Sequence, residues 1–122
     1  MTLIEAISKI DNLKHNTYTH EDKTAWLSRL DGMVKAEILD THAGSESDFR
    51  GYDTDSDVET VLLVPAPYDE MYLRWLEAQI DYANGEYSRF NNAMDMFQAA
   101  YQSYRNYYNR THMPKGVRIR FH

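Results

Sequence analysis

The sequence has no cysteine, only five glycines and three prolines, and no long apolar run. Without cysteine the chain forms no disulfide, no thiolate metal site and no cysteine nucleophile. Its longest uncharged apolar stretch, residues 61–68, is far shorter than the ~20 residues that cross a bilayer. The N-terminus carries an early acid, Glu5, and no basic segment, so we expect no signal peptide and a soluble cytosolic protein. Scarce glycine disfavours phosphate-binding loops, and the GxGxxG, P-loop and GxSxG motifs are absent from the sequence.

Charge is unevenly spread along the 122 residues. Nineteen acids against thirteen bases give a net charge of -6. Residues 40–59 carry seven acids and a single base, Arg50, whereas residues 110–122 carry four bases and no acid. An acidic middle and a basic tail are expected to complement one another, either within a subunit or between neighbouring subunits. With 43% hydrophobic and 13% aromatic residues, disordered and collagen-like chains are excluded.

Two capping patterns predict where the first helices begin. Thr2 followed by Glu5 forms a capping box ahead of an isoleucine stripe, Ile4, Ile7 and Ile10. Thr19 and Asp22 open a second helix in the same way. Apolar residues then recur at intervals of three and four, which is typical of an amphipathic helix. This second stripe comprises Trp26, Leu27, Leu30, Met33, Val34, Ile38 and Leu39.

The second half of the sequence predicts a helical hairpin. A third helix begins near residues 67–69 and ends at Gly85, which suits a left-handed C-cap. A fourth helix restarts at Glu86, and so short a link makes the two helices antiparallel neighbours. The apolar face of the fourth helix repeats at three and four: Tyr87, Phe90, Met94, Phe97, Tyr101, Tyr104 and Tyr108. The predicted fold class is all-α, a small bundle of about four helices.

Two segments lie outside these helices. Residues 43–58 form a long acidic loop between helices two and three, expected to be flexible in a free subunit because its polar composition requires contacts from a partner. Residues 59–64 are predicted to be extended or a brief strand. Residues 1–114 therefore form one helical domain, and residues 115–122 form an extended basic C-terminal tail. In the tail, Val117, Ile119 and Phe121 alternate with Arg118 and Arg120, which puts apolar and basic side chains on opposite faces.

Residues that could carry chemistry are few. Asp53, Asp55 and Asp57 suggest a calcium loop, but an EF-hand requires glycine and glutamate where Val58 and Val64 stand. The five histidines form no HExxH pair, and the paired carboxylates of the helices belong to their solvent faces. We therefore expect no catalytic residue, no metal site and no cofactor.

The aromatic residues suggest an assembly. Ten tyrosines are many for one small domain, so we expect some rings to pack between subunits, with packing inside the subunit as the alternative. On this reading, Tyr72→Asp and Tyr104→Asp reduce assembly more than they unfold the monomer. The interface candidates are Tyr68, Tyr72, Trp75, Tyr87, Tyr101, Tyr104 and Tyr108. The loop contact candidates are Phe49, Tyr52, Asp53, Asp55 and Asp57. The tail candidates for docking on a partner are Lys115, Val117, Arg118, Ile119, Arg120 and Phe121, with a frayed terminus as the alternative.

Several short phrases point to a known family. They are VLLVPAPYDEMY at residues 61–72, YANGEY at 82–87, FNNA at 90–93, YYNR at 107–110 and LSRLDGMV at 27–34. With these phrases, residues 19–114 resemble the head–tail connector, or adaptor, proteins of tailed phages and prophages. The acidic loop matches that family least.

The resemblance implies a function and a set of partners. Family members are small helical proteins without enzymatic activity that assemble as a ring, typically dodecameric. The ring docks beneath the portal protein, extends the DNA channel without sequence-specific binding, and seats the next neck or tail protein. The implied location is the neck of the virion, after synthesis in the bacterial cytoplasm, with no membrane partner. Two other classes remain open: a helical DNA-binding regulator that uses the basic tail, and a metal-dependent hydrolase that uses the acidic loop.

Overall fold

The computed structural model describes residues 1–116, which form an all-α fold. Its helices are α1 (Leu3–Leu13), α2 (His20–Glu37), α3 (Met71–Ala83) and α4 (Tyr87–Thr111). Short 3-10 helices span Leu39–Thr41 and Tyr68–Glu70. The predicted bundle of about four helices is thus confirmed. Residues 59–64 form no strand: they begin in a turn, end in a bend, and pair with the N-terminus through an isolated bridge between Thr2 and Val61. Val117, Arg118, Ile119, Arg120 and Phe121 lie outside the described residues.

The predicted helix starts are confirmed at α1 and α2. The Thr19 hydroxyl accepts a hydrogen bond from the backbone N–H of Asp22 at 3.1 Å, and the Asp22 carboxylate accepts one from the N–H of Thr19 at 3.2 Å. This is a complete capping box. At α1 the Thr2 oxygen accepts from the N–H of Glu5 at 3.2 Å, but the Glu5 carboxylate accepts from the Thr2 hydroxyl instead of closing the box on the backbone.

The junction between α3 and α4 is a Schellman motif. The N–H of Glu86 donates to the carbonyl of Asp81 at 2.9 Å, and the N–H of Gly85 donates to the carbonyl of Tyr82 at 3.0 Å. Gly85 has φ +75°, in the left-handed region that only glycine adopts without strain. The junction reverses the chain and brings α4 back along α3, as the sequence predicted.

Alanine at position 85 is expected to destabilise the protein by about 1 kcal/mol, because Cβ is unfavourable at positive φ. The matched control is Gly32→Ala in the middle of α2. A Cβ on Gly32 would meet nothing within 4 Å, so this variant should gain stability, by up to about 1 kcal/mol of helix propensity. Urea denaturation of both variants measures the two effects, and equal shifts of the same sign would contradict this reading of the junction.

Different helix termini meet at the two ends of the molecule. At one end, here called the hairpin end, the Lys14 ammonium lies 2.5 Å from Asp81 and the Tyr18 hydroxyl donates to Asn84 at 2.6 Å. This end therefore gathers the C-termini of α1 and α3 and the N-termini of α2 and α4. At the other end His42 meets Asn109 at 2.9 Å, which joins the segment after α2 to the end of α4. The 25 residues of α4 separate the two ends by ~37 Å.

The core lies between all four helices. From α1 come Leu3, Ala6, Ile7 and Ile10, and from α2 come Leu27, Leu30 and Val34, all buried. The inner faces of α3 and α4 complete the core and include Met71, Tyr72, Leu76, Ile80, Phe97, Tyr101 and Tyr104. Within residues 1–116, no helix combines the length and the apolar character that crossing a bilayer requires.

Candidate functional site

Asp31 of α2 is fully buried and connects three segments of the chain. Its carboxylate accepts hydrogen bonds from the hydroxyls of Tyr52 at 2.5 Å and Tyr72 at 2.6 Å, and from the N–H of Leu63 at 3.1 Å. The Tyr72 oxygen in turn accepts from the N–H of Val64 at 2.8 Å. Burial raises the pKa of Asp31, although these donors favour its charged form. The Asp31 network therefore holds the loop and the segment before α3 onto α2.

The acidic loop is anchored within its own subunit. Tyr52 is buried, its N–H donates to the Ser28 hydroxyl at 2.9 Å, and its ring meets that of half-buried Phe49 edge-on at 4.8 Å. Gly51 makes this approach possible, because a Cβ there would lie 3.1 Å from the Ser28 oxygen and its φ is +103°. The expectation that only a partner supplies ordering contacts is corrected: the two aromatic residues of the loop supply them here.

Asp53, Asp55 and Asp57 are exposed and serve local turns. The Asp53 carboxylate accepts from the N–H of Asp55 at 2.9 Å, and the Asp57 carboxylate accepts from the N–H of Glu59 at 2.9 Å. These are Asx-turns, which form whether or not a ligand is present. In the part of the chain that the structure describes, no group of three or more His, Asp or Glu side chains is placed to hold a metal ion.

Five of the seven interface candidates are core residues. Tyr72, Trp75, Tyr101, Tyr104 and Tyr108 are between 0% and 8% exposed in the isolated subunit. Three of them also use a polar atom internally: the Tyr72 hydroxyl donates to Asp31, the Trp75 indole N–H donates to the carbonyl of Trp26 at 2.8 Å, and the Tyr101 hydroxyl donates to Glu37. The expectation that one domain has little room for these rings is corrected. Tyr72→Asp and Tyr104→Asp are now expected to unfold the subunit, because each puts a charge into the core.

The other two interface candidates keep exposed surface. Tyr68 is half-buried and stacks on Tyr107 with ring centroids 4.9 Å apart, near the end of α4. Tyr87, at the start of α4, is 60% exposed and meets Tyr82 edge-on at 5.6 Å. Tyr82 is itself 58% exposed and also touches Phe90 at 5.2 Å.

Tyr82, Tyr87 and Phe90 belong to an exposed aromatic surface at the hairpin end, whereas Tyr68 lies at the other end. We define the hairpin-end aromatic surface as Tyr82, Tyr87, Phe90 and Met94. Beside it opens a cleft of about 340 Å³, where the guanidinium of Arg29 lies 6.0 Å from the ring of Trp75. Tyr87 was an interface candidate from the sequence, whereas Tyr82 was not among those candidates, because the aromatic pattern of α3 does not show which of its rings stay exposed.

The start of the basic tail is held by its own subunit. The N–H of Lys115 donates to the carbonyl of Thr41 at 2.8 Å, and its ammonium lies 3.0 Å from the Glu46 carboxylate. The carbonyl of Met113 accepts from the N–H of Ala43 at 2.9 Å. The chain therefore pairs with the segment after α2 as far as Lys115, and this tail candidate contacts its own subunit.

Comparison of the chain with protein-family models, with curated proteins and with solved structures gave no match.

Proposed function

We propose that this chain is a structural virion protein of the head–tail connector class. It assembles as a ring, dodecameric by resemblance, beneath the portal, extends the DNA channel and seats the next neck or tail protein. The hairpin-end aromatic surface carries the proposal. Tyrosine in an exposed apolar patch is typical of surfaces that a protein partner covers, since the ring is apolar and the hydroxyl tolerates water. One of the phrases that carry the family resemblance, residues 82–87, falls on this surface.

The shape of the subunit supports a ring. The hairpin end carries the mostly exposed Tyr82 and Tyr87, whereas the opposite end carries the half-buried stack of Tyr68 on Tyr107 and the ion pair of Lys115 with Glu46. Two unlike surfaces at opposite ends favour head-to-tail contacts, which close as rings when the rotation between neighbours allows it. A symmetric dimer would need one surface that complements itself.

The charge of the subunit supports passage of DNA without binding. The net charge is -6, and the loop carries Asp53, Asp55, Asp57 and Glu59, all exposed. A ring that directs such groups at its channel repels the phosphate backbone, so DNA slides through it.

The double substitution Tyr82→Ser with Tyr87→Ser is expected to weaken ring formation on the portal by about tenfold or more, since exposed aromatic anchors dominate interfaces. Both side chains are more than half exposed, so the melting temperature of the subunit should barely change. Mass photometry of the variant mixed with portal rings of the same phage measures assembly, and circular dichroism measures folding.

The matched control replaces Val61 and Met96, two apolar residues that are also about half exposed or more, by serine. It should assemble like the wild type. If the tyrosine variant assembles and enters particles as well as this control does, the aromatic surface is not an interface. If the wild type neither binds portal rings nor occurs in virions, the connector assignment fails.

A further inference from the structure

A second surface lies between α1, the first turns of α2 and the acidic loop. It is a groove of about 210 Å³ with an apolar floor of Leu3, Ile7 and Val58. Val58 is 52% exposed, whereas Leu3 and Ile7 are each 3% exposed, so Val58 provides most of the apolar surface that a ligand could reach. Glu21 of α2 and Asp53 of the loop both line this groove. We call this surface the loop groove.

The negative charge of the loop groove has no counterpart within residues 1–116. His20 is the one basic side chain among its described lining residues, and neither Glu21 nor Asp53 makes an ion pair within 4 Å among the described residues. The nearest candidate along α2, Lys23, is buried and pairs with Asp11 at 2.6 Å. An apolar floor between uncompensated carboxylates suits a ligand that offers apolar and basic side chains together.

We infer that residues 117–121 of one copy occupy the loop groove of a neighbouring copy. This inference rests on the ring assembly proposed above and names one of its contacts. In the sequence of this segment, Val117, Ile119 and Phe121 alternate with Arg118 and Arg120. Docked in an extended form, its apolar side chains cover the floor, and its long arginine side chains reach the carboxylates at the rim.

The contact is made between copies because the segment is too short to reach its own groove. Lys115 is fixed beside Thr41, beyond the C-terminus of α2, whereas the groove is lined by Thr24 near the N-terminus. From Thr24 to Glu37 the helix alone rises ~20 Å, and the turn to Thr41 adds to this distance. Val117 follows Lys115 by only two residues, so an extended chain carries it at most ~7 Å from Lys115, too little to lay residues 117–121 along the groove.

Charge reversal with rescue tests the pairing in the full chain. Arg118→Glu with Arg120→Glu, or Glu21→Arg with Asp53→Arg, should each weaken self-association by about tenfold or more in sedimentation velocity at low salt, because like charges then face each other. Combining all four substitutions should restore most of the affinity. The control, Asp48→Arg with Asp95→Arg, changes two exposed carboxylates outside the groove and should have little effect. Failure of the combined variant to recover would overturn the pairing.

Cysteine cross-linking separates contacts between copies from contacts within one copy. Because the chain has no cysteine, every disulfide comes from the introduced residues. A Val58→Cys chain mixed with an Ile119→Cys chain should give a mixed dimer on oxidation, about tenfold more than Met96→Cys with Ile119→Cys, since a docked pair is held at high effective concentration. Equal yields would overturn the inference. So would an internal disulfide, without dimers, in a chain that carries both Val58→Cys and Ile119→Cys.

The outcomes distinguish this contact from the proposed function. Charge-reversed tail variants that still enter virions normally would remove the tail contact and leave the connector assignment standing. If the copies cross-link but the protein is absent from virions, the tail contact stands and the connector assignment fails.

Discussion

Replacing Asp31 by alanine is expected to lower the free energy of unfolding by about 3–5 kcal/mol, the cost typical of breaking a buried charged network. The carboxylate is fully buried and accepts from Tyr52, Tyr72 and the N–H of Leu63. Alanine leaves these three donors without a partner inside the protein. It also releases the acidic loop from α2. Urea denaturation followed by circular dichroism measures the change.

Two further variants show which part of the effect belongs to the network. Asp95→Ala removes an exposed carboxylate from α4 and should change stability by less than about 0.5 kcal/mol. Tyr52→Phe removes one donor and should cost about 1–2 kcal/mol. If Asp31→Ala is no more destabilising than Asp95→Ala, the network does not hold the loop.

The same network sets a pH dependence. Burial raises the pKa of Asp31 above 3.8, so the folded state takes up a proton at a higher pH than the unfolded chain does. Relative to Asp31→Asn, which lacks this titration, the wild type should therefore gain stability as the pH falls. The gain is complete below pH 3.8 and is lost as the pH rises through the pKa of the folded state. A wild type that gains stability relative to Asp31→Asn as the pH rises would contradict this assignment.

Lys14→Met is expected to lower the free energy of unfolding by about 3 kcal/mol, because it leaves a buried carboxylate without its cation. Asp81 of α3 is 1% exposed, and the Lys14 ammonium lies 2.5 Å from its Oδ1. That oxygen makes no well-aligned hydrogen bond within residues 1–116, so the ion pair is its main compensation. The pair ties the end of α1 to the end of α3.

Lys9→Met is the matched control for this pair. Lys9 is exposed on α1 and makes no ion pair with residues 1–116, so its loss should change stability by less than about 0.5 kcal/mol. Adding Asp81→Leu to Lys14→Met should recover most of the loss, since a buried pair replaced by apolar groups is often neutral. Chemical denaturation of the wild type, Lys14→Met, Asp81→Leu and the double variant completes a double-mutant cycle, with Lys9→Met measured beside it. If Lys14→Met lowers the free energy of unfolding no more than Lys9→Met does, the ion pair does not contribute to stability.

Most of the helical architecture follows from short-range physics. The capping residues Thr2 and Thr19, the intervals of three and four, and Gly85 at the hairpin junction act over one or two turns of chain. They appear in the sequence as local patterns, so the number of helices, the bundle class and the α3–α4 hairpin could be predicted. The acidic loop could also be located, because a long polar segment without periodicity excludes a packed helix.

Which aromatic residues stay exposed depends on which helix faces pack against each other. An aromatic stripe has the same pattern whether a partner helix or another subunit covers it, so Tyr72 and Tyr104 could not be told from Tyr82 and Tyr87. The hydrogen bonds of Asp31 come from Tyr52 and Tyr72, which are distant in the chain, so no local pattern in α2 predicts them. The ion pair of Lys115 with Glu46 likewise joins residues that are far apart in sequence. Local patterns therefore determined the helices, whereas burial, ion pairing and the exposed surfaces arose from contacts between residues far apart in sequence, which packing alone selects.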